Sequence, residues 1–199
     1  MAGFADCIPD PAILERARRG DMKAHEVLYR GYSRAVFTLA SRILDDAAQA
    51  EEVLQDTSME IIRNVAGFRA DAAFGGWVKR IATNKALAHL RSAWHRKGRR
   101  FADDEAADPA MAGSVQSDVA IGVADQERLA RALAVLTPTA RAVVWLYDVE
   151  GFSHEEIAAL MGKSVSFSKS RLARAHQKLR ALLAEDEEVQ PCMRQPNSC

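Results

Sequence analysis

The run from Thr137 to Leu183 constrains the fold most, because helix starts and stops alternate along it at close spacing. Thr137 can cap a helix whose first residue is Pro138, a position where a missing N–H is harmless. Gly151 ends that helix, and Ser153 with Glu156 stand at capping-box spacing for a second, short one. This second helix carries Ile157, Leu160 and Met161 on one side and stops at Gly162. Ser164 caps a third, on which Val165, Ser168, Leu172, Ala175, Leu179 and Leu182 recur at spacings of three and four, as on an amphipathic helix. A short helix, a glycine turn and a longer basic helix form a helix-turn-helix, which places the first half of its last helix in the DNA major groove. The residues read as facing outward there are Ser166, Phe167, Lys169, Ser170, Arg171 and Arg174, and no acid occurs between Glu156 and Glu185. The competing reading is an amphipathic hairpin with a solvated basic face.

Net charge does not choose between these readings, since 27 basic residues balance 27 acidic ones. The distribution does inform, because the charges are segregated along the chain. From Ala72 to Ala102 there is no acid, while Lys79, Arg80, Lys85, Arg91, Arg96, Lys97, Arg99 and Arg100 alternate with His89, Trp94 and His95. Such a basic helix, buried on Ile81, Ala82, Ala86, Leu87 and Leu90, reads as a phosphate-tracking surface. Asn84 on it can pair donor and acceptor with a base edge. The preceding loop, residues 67–76, holds Phe68, Phe74 and three glycines before a helix beginning near Trp77. Aromatics beside a positive groove can stack unpaired bases. The same rings can close a helical core, the reading favoured for Trp77 and left open for Phe68 and Phe74.

Upstream, residues 1–10 read as a loose leader, and Pro11 opens a helix that ends near Gly20. Asp21 caps a long helix with an apolar face of Ala24, Val27, Leu28, Tyr32, Val36, Leu39, Ala40, Ile43 and Leu44. Asp45 and Asp46 interrupt it and can cap the next, from Ala47 to about Val65, with Ala50, Val53, Leu54, Ile61, Ile62 and Val65 inward. Outward, that helix shows Glu51, Glu52, Gln55, Asp56 and Glu60, which form either a solvated face or a dock for a basic partner. Residues 101–124, rich in Ala, Gly, Ser and acids, read as a flexible acidic linker. Fully stretched it spans about 80 Å at about 3.3–3.6 Å per residue, more than two turns of duplex at about 34 Å each. The fold class is therefore all-α, with two small helical domains joined by that linker.

No stretch is apolar enough to span a membrane, and no signal-peptide core opens the chain. Cys7, Cys192 and Cys199 lie in the terminal segments, which fits a reducing cytoplasm. No metal spacing, nucleophile–base pair or phosphate-cradling motif stands out, so neither a cofactor nor an enzyme is expected.

Four segments taken together carry a resemblance: HEVLYRGYSRAVFTLASRIL, DDAAQAEEVLQDTSMEII, FGGWVKRIATNKALAHLR and GFSHEEIAALMGKSVSFSKSRLARAHQKLR. In this order, with an acidic tether after the third, the chain resembles a bacterial sigma factor of the extracytoplasmic-function (ECF) group over residues 12 to 183. The resemblance implies a region-two domain over 12–100, a linker over 101–124, a region-four domain over 125–184 and a cysteine-bearing tail over 185–199. It implies that Glu52, Gln55 and Asp56 dock on core RNA polymerase. It also implies that Phe68, Arg69 and the loop to Phe74 receive an unstacked base of the promoter minus-ten element, flanked by Lys79, Asn84 and Lys85, with Trp77 and Arg80 supporting the melted strand. Ser166, Phe167, Lys169, Ser170, Arg171 and Arg174 would read the minus-thirty-five element. Core polymerase, promoter DNA and an anti-sigma factor are the implied partners. A stand-alone helix-turn-helix regulator is the alternative, and it would need neither the acidic helix nor the aromatic loop. Two features depart from the family pattern: Ser166-Phe167-Ser168 stands where Gly-Thr-Val is usual, with a serine toward the core, and Ser58 replaces a Phe.

Overall fold

A computed structural model describes residues 3–68, 73–96 and 123–189 of the chain. Arg69, Lys97, Arg99, Arg100, residues 101–122 of the linker, Cys192 and Cys199 lie outside them. All regular structure among the described residues is helical, and the chain divides into two compact units.

The first unit holds α1 (Pro11–Arg18), α2 (Met22–Leu44), α3 (Ala47–Asn64), a 3-10 turn (Val65–Gly67) and α4 (Phe74–Arg96). Aspartates start the first three helices: Asp10, Asp21 and Asp46 each accept a backbone N–H of the first turn. Asp45 ends α2 in the left-handed conformation (φ 56°), one of the few residue types that tolerate it. α2, α3 and α4 pack on one another, and α1 lies against α2 and the 3-10 turn. Leu28, Tyr32, Val36, Leu39 and Ile43 on α2, Val53 on α3, and Val78, Ala82 and Leu87 on α4 are buried.

Two residues read as inward point out instead: Val27 is 51% exposed and Ile62 39%. Adjacent helical residues differ by about 100° in direction. Leu28 and Ile61 take the inward positions, so their neighbours fall on the flanks. Thr57 fills the inward place on α3 between Val53 and Ile61 and is fully buried. Ser58, where the family pattern has Phe, donates to the Leu54 carbonyl (2.7 Å) and lines a cleft of about 200 Å³ between α2 and α3.

The leader is not loose over residues 3–10. Phe4 is buried beneath α2 and α4, and the Tyr32 hydroxyl donates to the Cys7 carbonyl. Helix α4 also begins earlier than its sequence suggested, at Phe74, with the Trp77 N–H bonded to the Ala73 carbonyl at 3.2 Å.

The second unit contains α5 (Val123–Ala134), α6 (Pro138–Val144) running into a π-helical turn (Trp145–Val149), α7 (His154–Met161) and α8 (Val165–Val189). The starts and stops fall where the residues placed them. Thr137 accepts the Ala140 N–H, and Ser153 and Glu156 form a reciprocal capping box. Gly162 closes α7 at φ 65°, and Ser164 accepts the Phe167 N–H at 3.1 Å. Trp145, Leu146, Ile157, Met161 and Leu172 build the core between α6, α7 and α8.

Candidate nucleic-acid interface

The first turns of α8 follow the Gly162 stop, so the turn of the helix-turn-helix presents them at its outer edge. Ser166, Lys169, Ser170 and Arg174 are exposed. The Ser170 hydroxyl donates back to the Phe167 carbonyl at 3.0 Å. Arg171 departs from the sequence reading, being buried at 7% exposure. Its guanidinium carbon lies 5.1 Å from the Phe167 ring centre, and Lys163 Nζ approaches the same ring at 5.8 Å. The cause is local: residue 167 stands one turn before 171, so the ring folds over the guanidinium. Phe167 is correspondingly half-buried rather than exposed.

Ser168 does face the core, fully buried, and the structure gives its hydroxyl a partner. His154, the first residue of α7, places Nδ1 2.9 Å from Ser168 Oγ, and its ring stacks on Tyr147 (4.4 Å between centres, 20° between planes). The departure at Ser168 is thus matched by a polar group on the facing helix. Nothing in the residues around His154 signals this, since the partner is 14 positions away. Nearby, the Glu155 carboxyl is held below the usual range, first by hydrogen bonding to its own backbone N–H and then by the Ser153 hydroxyl, with Lys169 and His154 adding attraction.

In the first unit the aromatics gather into one cluster. Phe68 meets Phe74 edge to face (5.1 Å), and Trp77 tilts against both, at 5.3 and 5.4 Å. Phe74 continues to Tyr32 at 5.5 Å. Phe68 and Phe74 are buried and Trp77 is half-buried, so the choice left open for the two phenylalanines falls on the core side in this conformation. Burial also pushes the Tyr32 hydroxyl well above its usual range, keeping it a neutral donor.

Along α4, Arg80 and Asn84 are exposed one turn apart, and Arg91 extends the row. Lys79 and Lys85 are half-buried on its flanks. The predicted acidic face on α3 is exposed at Glu52, Gln55 and Asp56, but it also touches α4. Lys85 Nζ lies 3.5 Å from Glu60, and His89 lies between Glu52 (3.6 Å) and Asp56 (3.9 Å). The two charged faces, read separately in the sequence, therefore adjoin along the α3–α4 edge.

A helix-turn-helix with exposed cations on its last helix, in a chain whose other unit sets an acidic helix against a basic one, fits a DNA-binding protein of transcription. Known proteins agree. Residues 28–96 match the family Sigma-70 region 2, and residues 126–179 match Sigma-70, region 4. The RNA polymerase sigma factor CarQ of Myxococcus xanthus is 35% identical over 174 residues, 87% of this chain and 97% of its own. The ECF RNA polymerase sigma-E factor of Escherichia coli is 28% identical, with 96% of this chain and 100% of its own covered. Among solved structures, the sigma factor RpoE in complex with the anti-sigma factor NepR from Bartonella quintana has a TM-score of 0.58. At 24% identity, covering 82% of this chain and 97% of its own, it is a likeness of fold. CnrH in complex with the cytosolic domain of CnrY gives a TM-score of 0.52 at 26% identity, covering 88% and 97%.

The chain belongs to the sigma-70 family of RNA polymerase sigma factors, in its extracytoplasmic-function group. Its function is that of a sigma factor, the subunit through which RNA polymerase selects promoters, rather than that of a stand-alone regulator. Among the described residues no helix is long and apolar enough to cross a membrane.

Proposed function

We propose that the first unit docks on core polymerase through Glu52, Gln55 and Asp56 on α3 and captures an extruded non-template base of the minus-ten element beside α4. In this division of labour Arg80 and Lys79 hold the melted strand, Asn84 and Lys85 flank the captured base, and Phe68, Arg69, Phe74 and Trp77 frame it. The second unit reads the minus-thirty-five element with Ser166, Lys169, Ser170 and Arg174, while Phe167 and Arg171 form the platform beneath them. Residues 12–100 and 125–184 act as the two domains, residues 101–124 as the tether between them, and 185–199 as a tail. The protein performs no catalysis of its own, works in the cytoplasm, serves a signal-responsive regulon and is held in check by an anti-sigma factor.

The observation that carries this reading is the exposed Arg80–Asn84 row beside the aromatic cluster, on the helix next to the acidic face. Extruding a base costs a few kcal/mol, which stacking and base-edge hydrogen bonds can offset. Permanganate footprinting of Asn84→Ala holoenzyme tests it. Binding of closed promoter should persist while reactivity of melted thymines falls; a footprint identical to wild type would refute the assignment.

A further inference from the structure

The segment read as a loose leader is built into the first unit, and the helices beneath it are shaped to receive it. Phe4 is 6% exposed, with its ring stacked on Tyr32 (6.5 Å, 23°). Its carbonyl oxygen lies so close to Gly75 that a Cβ there would stand 2.1 Å away. On α2, a Cβ at Gly31 would stand 2.7 Å from Cys7 Sγ. Gly76, the next residue of α4, has nothing within 4 Å of such an atom, so the need for glycine is specific to the lane the leader occupies. At Gly75 the obstacle is the Phe4 backbone itself, whereas at Gly31 it is the end of the Cys7 side chain. The Tyr32 hydroxyl donates to the Cys7 carbonyl and ties the segment to α2, while within the segment Asp6 accepts the Gly3 N–H at 2.6 Å.

The place where the segment presses is informative. Gly75 is in the first turn of α4, one residue after Phe74 and two before Trp77. Tyr32 bridges Phe4 to Phe74, and Phe74 passes the contact to Phe68 and Trp77. From the other side Arg18 on α1 donates to the Phe68 carbonyl. The N-terminal strap and α1 thus grip the two ends of the aromatic cluster from which α4 runs on to Arg80 and Asn84.

We propose that residues 3–10 are a positioning strap for promoter opening, with Phe4 as its key. The strap fixes the first turn of α4 and the cluster of Phe68, Phe74 and Trp77 in the pose that captures the extruded base. The proposal rests on the assignment of minus-ten capture to this edge of α4. A strap of this kind acts by raising the fraction of molecules already in the capture-competent pose. If its loss lowers that fraction to a tenth, while molecules outside the pose still hold strands by charge without base choice, affinity for the preferred base, and with it the preference, falls about tenfold with no contact to DNA removed.

The test uses holoenzyme assembled from core RNA polymerase and the full chain, Phe4→Ala, Phe4→Leu, or the chain with residues 2–10 deleted. Each captures strands from a randomised single-stranded oligonucleotide pool, sequenced before and after, with core affinity measured in parallel. Phe4→Ala and the deletion should lose about tenfold in enrichment at the most selective base position, with core affinity unchanged and Phe4→Leu restoring most of the preference. A strap serving stability alone would leave base preference intact, and that result overturns the proposal. Increased enrichment on deletion overturns it too, making the segment a lid. Asn84→Ala separates the two readings: if it also leaves enrichment unchanged, the capture site lies elsewhere; if it abolishes enrichment while the strap variants do not, only the strap fails.

Discussion

Removal of the His154 side chain is predicted to weaken the second unit far more than removal of the hydroxyl it meets. Ser168 is fully buried, and its Oγ lies 2.9 Å from His154 Nδ1. In His154→Ala the hydroxyl stays in the core without that partner, at a cost of about 1–3 kcal/mol. The lost stack of the His154 ring on Tyr147 adds about 0.5–1.5 kcal/mol. In Ser168→Ala the buried polar group disappears, and the half-exposed His154 ring keeps its stack on Tyr147, so the cost is under about 1 kcal/mol. The double variant should therefore be more stable than His154→Ala by about 1–2 kcal/mol. Hydrogen exchange of the full-length chain, read on α8 peptides, measures each step of this cycle, because the slowest amides report opening of the whole unit. Purely additive effects, with the double variant the least stable of the three, would refute the claim that the pair is coupled.

Other expectations concern single groups. Arg174→Ala should lose about 1–3 kcal/mol of discrimination at one minus-thirty-five position, seen by competition binding of variant duplexes; uniform loss across sequences would make it a phosphate contact. Arg171→Ala should instead lower stability by about 1–3 kcal/mol with the order of sequence preference retained, because its guanidinium is buried against Phe167. Thr57 carries a buried hydroxyl without a hydrogen-bond partner, so Thr57→Val should raise the urea midpoint of the first unit by the equivalent of about 1 kcal/mol. Hydrogen bonds from the Gln49 backbone and side chain hold Asp46 below its ordinary value of 3.8. A lowered folded value means the stabilisation is complete above the ordinary value and is lost as pH falls through the folded one. Asp46→Ala should thus lower stability at neutral pH and flatten the acid limb of the pH profile, whereas parallel profiles would exclude the link.

Much of this architecture is written in local signals. Asp10, Asp21, Asp46, Thr137, Ser153 and Ser164 start helices by accepting N–H groups a few residues away, so their effect is readable without a fold. The stops at Gly151 and Gly162 are equally local, being positive-φ positions. What escaped depends on partners distant in sequence. Val27 and Ile62 are apolar beside the true inward positions, and only packing decides which neighbour turns in. Phe4 meets Tyr32 across a gap no periodicity spans. Arg171 is written like a reading residue, and its burial follows from the ring at 167 rather than from charge pattern. The candidate sites were legible as charge and aromatic composition; the adjoining of Glu52, Asp56 and His89 was not, because it joins two helices.

Promoter-directed transcription tests the central claim most directly. Core RNA polymerase, alone or with the purified chain, is offered a pool of genomic fragments, and run-off transcripts are sequenced at their starts. The account predicts discrete start sites that appear only when the chain is added, preceded by a shared pair of upstream elements, and lost when Glu52, Gln55 and Asp56 are replaced together by alanine. Start sites indistinguishable from those of core enzyme alone would contradict it.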